Sequence, residues 1–237
     1  MEIWAHRGAS ARQPENTIAS FAAAMEAGAD GVELDVQLSS DGVPVVIHDE
    51  KVDRTHAGTG WVANQTVAQL QGLRSLQKPK ADPLTTRIPT LAETLDLLAS
   101  GAQRINIELK NSVKPYKSLE TKVLAQVAER KLAERVVLSS FNHYSLQKLR
   151  ERGWTGEMAA VHDGMLREAW RYFRELDVQA VHPPQHVLMI PGFVTRAHRA
   201  GFAVRVWTVN KSAQRQRCLR LGVDGIFTDI IKPQPTW

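Results

Sequence analysis

Eight short runs rich in β-branched and apolar residues, near 2–6, 31–38, 104–110, 135–140, 156–161, 178–182, 202–208 and 224–228, alternate with segments of helical period. That alternation constrains the fold more than any other feature of the chain. In one helical segment Ile18, Phe21, Ala22 and Met25 form a stripe ended by Gly28. In another, Leu91, Leu95 and Leu98 repeat behind Thr90 and Glu93, a capping box. Eight strands with intervening helices in 237 residues match a (β/α)8 TIM barrel in number and size, with a doubly wound open sheet as the runner-up architecture. No Pro/Gly/Ser-rich linker divides the chain, so 1–237 reads as a single domain. Residues 51–88 carry no sustained period and contain Gly58, Gly60, Pro79 and Pro83. So long an excursion in a compact domain is usually functional, and it reads as an insertion capping the barrel mouth.

The polar residues inside these runs point to chemistry. Val32-Glu33-Leu34-Asp35-Val36 and Ile105-Asn106-Ile107-Glu108-Leu109-Lys110 alternate with period two, so Glu33 and Asp35 share one strand face and Glu108 and Lys110 share another. Their apolar neighbours are core-like, which encloses the carboxylates. Unpaired charges there would cost several kcal/mol each, roughly, and a hard divalent cation with oxygen ligands is the simplest compensation. His6-Arg7-Gly8 follows the first strand, His48-Asp49 closes Pro44-Val45-Val46-Ile47, and Glu108 and Lys110 end the third strand. Four separated segments thus deliver two His, three carboxylates and two cations to the end of the barrel where TIM-barrel active sites lie.

Composition excludes several classes. With 43% hydrophobic residues the chain can build a sizeable core, and no stretch of about 18 apolar residues exists to span a membrane. The N-terminus reads directly into a strand without a signal-peptide pattern, and Cys218 is the sole cysteine and reads as a buried small hydrophobe. A reducing cytoplasm is the expected setting. The net charge of +5 is mild. Its excess between Arg196 and Arg220 lacks interleaved aromatics or a nucleic-acid motif, so a solvated helix face is expected, with no nucleic-acid partner. Gly58-Thr59-Gly60 lacks the strand and helix of a dinucleotide fingerprint, and no P-loop or Gly-x-Ser-x-Gly elbow is present. Oligomeric state is not legible.

Taken in order, His6-Arg7-Gly8, Pro14-Glu15-Asn16-Thr17, Glu33-Leu34-Asp35, Asp41-Gly42 with His48-Asp49, Asp53-Arg54-Thr55, Ile88-Pro89-Thr90-Leu91, Asn106-Ile107-Glu108-Leu109-Lys110, Ser140-Phe141, Trp207-Thr208-Val209-Asn210 and Gly222-Val223-Asp224-Gly225 with Thr228-Asp229 resemble the signature of glycerophosphodiester phosphodiesterases, of the bacterial cytoplasmic type. The resemblance spans nearly the whole chain. It implies a TIM barrel, a divalent metal held by Glu33, Asp35 and Glu108, acid/base work by His6 and His48, and phosphate contacts from Arg7 and Lys110. The implied reaction is hydrolysis of glycerophosphodiesters such as glycerophosphocholine to sn-glycerol 3-phosphate and an alcohol, through a cyclic phosphate.

The charges agree with that chemistry. With neutral histidines, Glu33, Asp35, Glu108, Arg7 and Lys110 sum to −1; one divalent ion makes +1, and a monoanionic diester balances it. A carboxylate-only donor set favours Mg²⁺ or Ca²⁺ over Zn²⁺. Phe141 and Trp207 are expected to wall the alcohol pocket or pack the core. His182, at the end of the sixth strand, reads as a loop residue, with reach into the mouth as the alternative; Asn16 reads as a helix N-cap, and Asp229 as a cap of the last turn. Alternative readings keep the barrel and make it a phosphodiester or aldolase-like lyase, an enzyme releasing alcohols from lysophospholipids, or a noncatalytic phosphate binder.

Overall fold

A computed structural model describes residues 1–77, 82–164 and 169–231; Pro79 of the expected insertion lies outside these. The chain runs β1 (Glu2–Ala5), α1 (Ile18–Glu26), β2 (Gly31–Leu38), β3 (Pro44–Val46), α2 (Val67–Gln71), α3 (Pro83–Thr86), α4 (Leu91–Ala99), β4 (Arg104–Leu109) and α5 (Leu119–Glu129). It continues with β5 (Val136–Ser140), α6 (His143–Glu151), β6 (Glu157–Val161), α7 (Trp170–Glu175), β7 (Ala180–His182), α8 (Phe193–Arg199), β8 (Ala203–Val206), α9 (Ser212–Leu221) and β9 (Gly225–Thr228). Eight strands pair in parallel in the order β1-β9-β8-β7-β6-β5-β4-β2, and β2 pairs back onto β1, so the sheet closes into a barrel. Closure excludes the open doubly wound sheet.

The eight expected strand runs are the eight barrel strands. A ninth, β3, lies antiparallel on the far end of β2, with Leu38 opposite Pro44, and aims the chain across the mouth. From there the excursion folds on a small core of its own, Val45, Ile47, Val52, Val62, Leu70 and Ile88, stitched by short bridges between Lys51 and Trp61 and between His56 and Ser75.

Helix α4 follows its expected stripe: Leu91, Leu95 and Leu98 are buried and Thr90 with Glu93 closes the capping box. The stripe expected on α1 is displaced. Ala22 is exposed, whereas Ser20, Phe21, Ala23 and Ala24 are buried. The cause is Gly8, whose φ of +80° makes the turn after β1 and brings its backbone onto Ser20; a Cβ there would sit 2.4 Å from Ser20 Oγ. Ser20 Oγ donates to the Arg7 carbonyl at 3.0 Å, so a polar residue faces inward and rotates the buried stripe. Cys218 is buried, and Arg217 and Arg220 on α9 face solvent. No helix among the described residues is long and apolar enough to cross a membrane.

Side chains fill the barrel in layers. At the amino-terminal end Arg205, 4% exposed, pairs with Glu2 at 3.1 Å and Glu157 at 2.6 Å. Arg104 pairs with the same two acids, and both guanidiniums lie over Trp4, 5.4 and 5.3 Å from its ring centroid. Above this charged plug sit Trp4, Val137, Ala159, Ala180 and Phe227. The alanines of β6 and β7 leave space at the next level, toward the carboxyl ends of the strands.

Candidate active site

That space is a cavity of about 210 Å³. Each of the nine expected site residues lines it: His6, Arg7, Glu33, Asp35, His48, Glu108, Lys110, Phe141 and Trp207. Strand pairing explains the convergence. Asp35 is in register with Glu108 and Glu33 with Asn106, so period-two alternation on two adjacent strands puts three carboxylates on one wall. Ligand oxygens of Glu33, Asp35 and Glu108 all lie within 4.8 Å of one another.

Two cations only partly neutralise them. Lys110 Nζ is 2.9 Å from Glu108 and 3.8 Å from Asp35, and Arg7 Nε is 3.4 Å from Asp35. The Arg7 amide, presented by a left-handed backbone at φ 56°, donates to Glu33 at 2.7 Å. Burial, reinforced by the Asp35 and Glu108 charges, pushes the Glu33 carboxyl well above the usual range. Burial acts on Asp35 in the same sense, but Lys110, Arg7 and the amide of Asn16 outweigh it and hold that carboxyl down. Two neighbouring acids of opposite tendency are a crowded oxygen cluster short of positive charge, which fits a hard divalent cation.

The imidazoles of His6 and His48 are each tied to a carboxylate outside this cluster. His6 Nδ1 is 2.7 Å from Asp229 Oδ1, and Asp229 is itself held by Asn210 Nδ2 at 2.6 Å and Ser10 Oγ at 3.1 Å. His48 Nδ1 is 2.6 Å from Asp49 Oδ1, and Arg54 grips the other Asp49 oxygen at 2.6 Å. Arg54 also forks onto Glu15 at 2.8 and 2.7 Å, and Glu15 accepts from Arg7 at 2.9 Å. An unbroken chain of charge therefore joins His48 to Arg7 through the excursion. It holds Glu15 well below the ordinary carboxylate range even though burial opposes it, chiefly through Arg54 and Arg7.

Three expectations need correction. Asn16 is not the cap of α1; Thr17 is, and Asn16, also left-handed at φ 55°, donates to Asp35 Oδ2 at 2.8 Å. A residue just before a helix is adequate for capping by local rules, so only the fold reveals the assignment to Asp35. Asp229 does not cap a turn but backs His6. His182 is no loop residue: it ends β7, is 2% exposed and lines the cavity. The ordered run Thr228-Asp229 was the one available signal for the Asp229 site.

Phe141 and Trp207 meet edge-to-face at 5.8 Å beside the acids, with Lys110 Nζ 5.6 Å from the Phe141 centroid. Beyond Phe141, which it shares with the cavity, a groove past Ser112 and Val113 leads toward Tyr144, where it opens.

The glycerophosphoryl diester phosphodiesterase family model matches residues 6–232. A glycerophosphodiester phosphodiesterase of Caldanaerobacter subterraneus is 40% identical over 96% of this chain and 93% of its own, and one of Bacillus altitudinis is 36% identical over 97% and 94%. Among solved structures, a phosphodiesterase of Oleispira antarctica in complex with the product sn-glycerol-3-phosphate superposes with a TM-score of 0.84 at 28% identity, covering 98% of this chain and 94% of that one. A glycerophosphodiester phosphodiesterase of Thermotoga maritima gives 0.80 at 27% identity, over 98% and 96%. A match that begins at His6 and runs the length of the barrel, with relatives alike over nearly their whole chains, means that this chain belongs to the glycerophosphoryl diester phosphodiesterase family.

Proposed function

We propose that this enzyme hydrolyses glycerophosphodiesters, glycerophosphocholine and glycerophosphoethanolamine among them, to sn-glycerol 3-phosphate and the free alcohol. The observation that carries this reading is the pairing of a three-carboxylate cluster with two carboxylate-backed imidazoles around one small cavity. Glu33, Asp35 and Glu108 would hold the divalent cation, Mg²⁺ or Ca²⁺ by the chemistry of their oxygens. When bound, that ion supplies positive charge against the phosphoryl oxygens.

Arg7 and Lys110 add fixed positive charge where the diester's equatorial oxygens gain density in the transition state. Asp229 and Asp49 each hold Nδ1 of their imidazole, which leaves Nε2 of His6 and His48 as the atoms available to the reactants. One Nε2 takes the proton of the attacking oxygen, the glycerol 2-hydroxyl, while the other protonates the departing alkoxide. Water then opens the cyclic phosphate with the two roles exchanged. Phe141 and Trp207 wall the side from which the alcohol leaves. We place the enzyme in a reducing cytoplasm, where its one buried cysteine, Cys218, stays a thiol.

The test is turnover of glycerophosphocholine by the purified protein, with products identified by phosphorus NMR. Expected are sn-glycerol 3-phosphate and choline, loss of activity in EDTA, and a fall in kcat of about 10² to 10⁴ in His6→Ala and in His48→Ala. Cyclic phosphate as the only final product would make the enzyme a lyase, and near-wild-type turnover in either variant would end the two-histidine mechanism.

A further inference from the structure

We propose that His182 reads the terminal hydroxyl of the substrate's glycerol and so determines which half of the diester is held inside the barrel. The inference rests on the phosphodiesterase reading above and extends it. His182 is buried on β7, lines the cavity, and its Nε2 has no hydrogen-bond partner among the described residues. Its backbone carbonyl accepts from Trp207 Nε1 at 2.8 Å, which anchors the strand end, and its ring lies edge-on to Phe227 at 4.9 Å, which packs the imidazole. A buried polar atom left unpaired costs roughly 1 to 3 kcal/mol, and in a cavity wall a ligand group can remove that cost.

The barrel's order says which part of the substrate reaches it. Around the closed sheet β7 stands four strands from β2 in either direction, so His182 faces the wall that carries Glu33 and Asp35. A diester whose phosphate is anchored on that wall by Arg7 and Lys110 meets His182 with its far end. The leaving alcohol has another way out, along the groove past Phe141 and Ser112 on the β4 and β5 side. A cavity of about 210 Å³ between the strands suits the part that every substrate shares, and the groove that opens beyond it toward Tyr144 suits the part that varies. Asn106 adds a second unpaired polar atom on the near wall: its Nδ2 donates to Ser139 at 3.0 Å and its Oδ1 is left without a partner among the described residues. Burial lowers the His182 pKa well below its ordinary value, so the ring is neutral and meets a hydroxyl without adding charge.

The experiment compares glycerophosphocholine with its propane-1,2-diol analogue, which keeps the 2-hydroxyl and lacks the terminal one. Wild type should lose about 100-fold or more in kcat/KM on the analogue, because a site built to bond a hydroxyl rejects a substrate without it. His182→Leu should lose a similar factor on glycerophosphocholine and discriminate less than about threefold between the two. His182→Gln, which keeps a polar group and guards against a folding failure of the leucine variant, should recover part of the discrimination. If both variants fall equally on both substrates, or if wild type does not discriminate, the proposal is overturned while the phosphodiesterase stands. If wild type turns over neither diester with Mg²⁺ or Ca²⁺ supplied, both readings end together.

Discussion

Replacing Glu33 by Gln should stabilise the metal-free protein while destroying its capacity to be stabilised by metal. Glu33 is 3% exposed, and its oxygen lies within 4.8 Å of those of Asp35 and Glu108. At an effective dielectric constant near 20, each such repulsion is worth about 3.5 kcal/mol, and attraction to Arg7 returns about half of the pair. A second route gives the same scale. The carboxyl can escape repulsion by taking a proton, which at pH 7 costs at most about 3.7 kcal/mol from a reference pKa near 4.3. Gln keeps an oxygen for the Arg7 amide and removes the charge, so about 3 kcal/mol should be recovered. In a chain of this length that is a rise in Tm of about 6 to 12 °C in EDTA, measured by circular dichroism at pH 7. In Ca²⁺ at about 100 times its Kd the wild type should gain roughly 2.7 kcal/mol, and Glu33→Gln most of that less. A variant that melts at or below the wild type in EDTA would refute the reasoning, because it would mean that Arg7 and Lys110 already satisfy the acids.

Asp229→Asn should lower kcat by about 10²-fold or more with little change in KM, since the amide no longer fixes the His6 tautomer; an unaltered pH–rate profile would contradict this role. Arg54→Ala should cost only about 1 kcal/mol of stability, its side chain being 47% exposed, yet reduce kcat several-fold by freeing Asp49 and with it His48; equal losses in Tm and activity would point to simple unfolding. In the metal-free protein Glu33 and Asp35 should contribute opposite pH dependences to stability. Glu33, raised in the fold, makes stability fall as pH rises above its unfolded value. Asp35, held at about 2 mainly by Lys110 and Arg7 against burial, contributes stability above about pH 4 that is lost as pH falls toward 2, on the order of 2 kcal/mol. Thermal melts of wild type and Glu33→Gln in EDTA from pH 2.5 to 8 isolate the first contribution: the advantage of the variant should widen as pH rises above about 4, and a pH-independent difference would contradict it.

Much of this protein was determined by local pattern alone. Period two in Val32–Val36 and Ile105–Lys110 is a property of a few adjacent residues, and it already placed Glu33, Asp35 and Glu108 on strand faces. The spacing of strands and helices selected the barrel, and Thr90 with Glu93 started α4 where expected. Only the tertiary structure decided what backs each reactive group. Asp229 reaches His6 across 223 positions because β9 closes against β1, and the plug of Glu2, Arg104, Glu157 and Arg205 exists only once four strands share an axis. Asn16 and Ser20 carry the lesson at short range. Both have the composition of a helix start, but a left-handed turn at Arg7 and Gly8 directs one to Asp35 and the other inward. Alternation along a strand is written in neighbouring residues; the partner of a buried charge is set by which distant segments the closed sheet brings within about 3 Å, and no local rule encodes that distance.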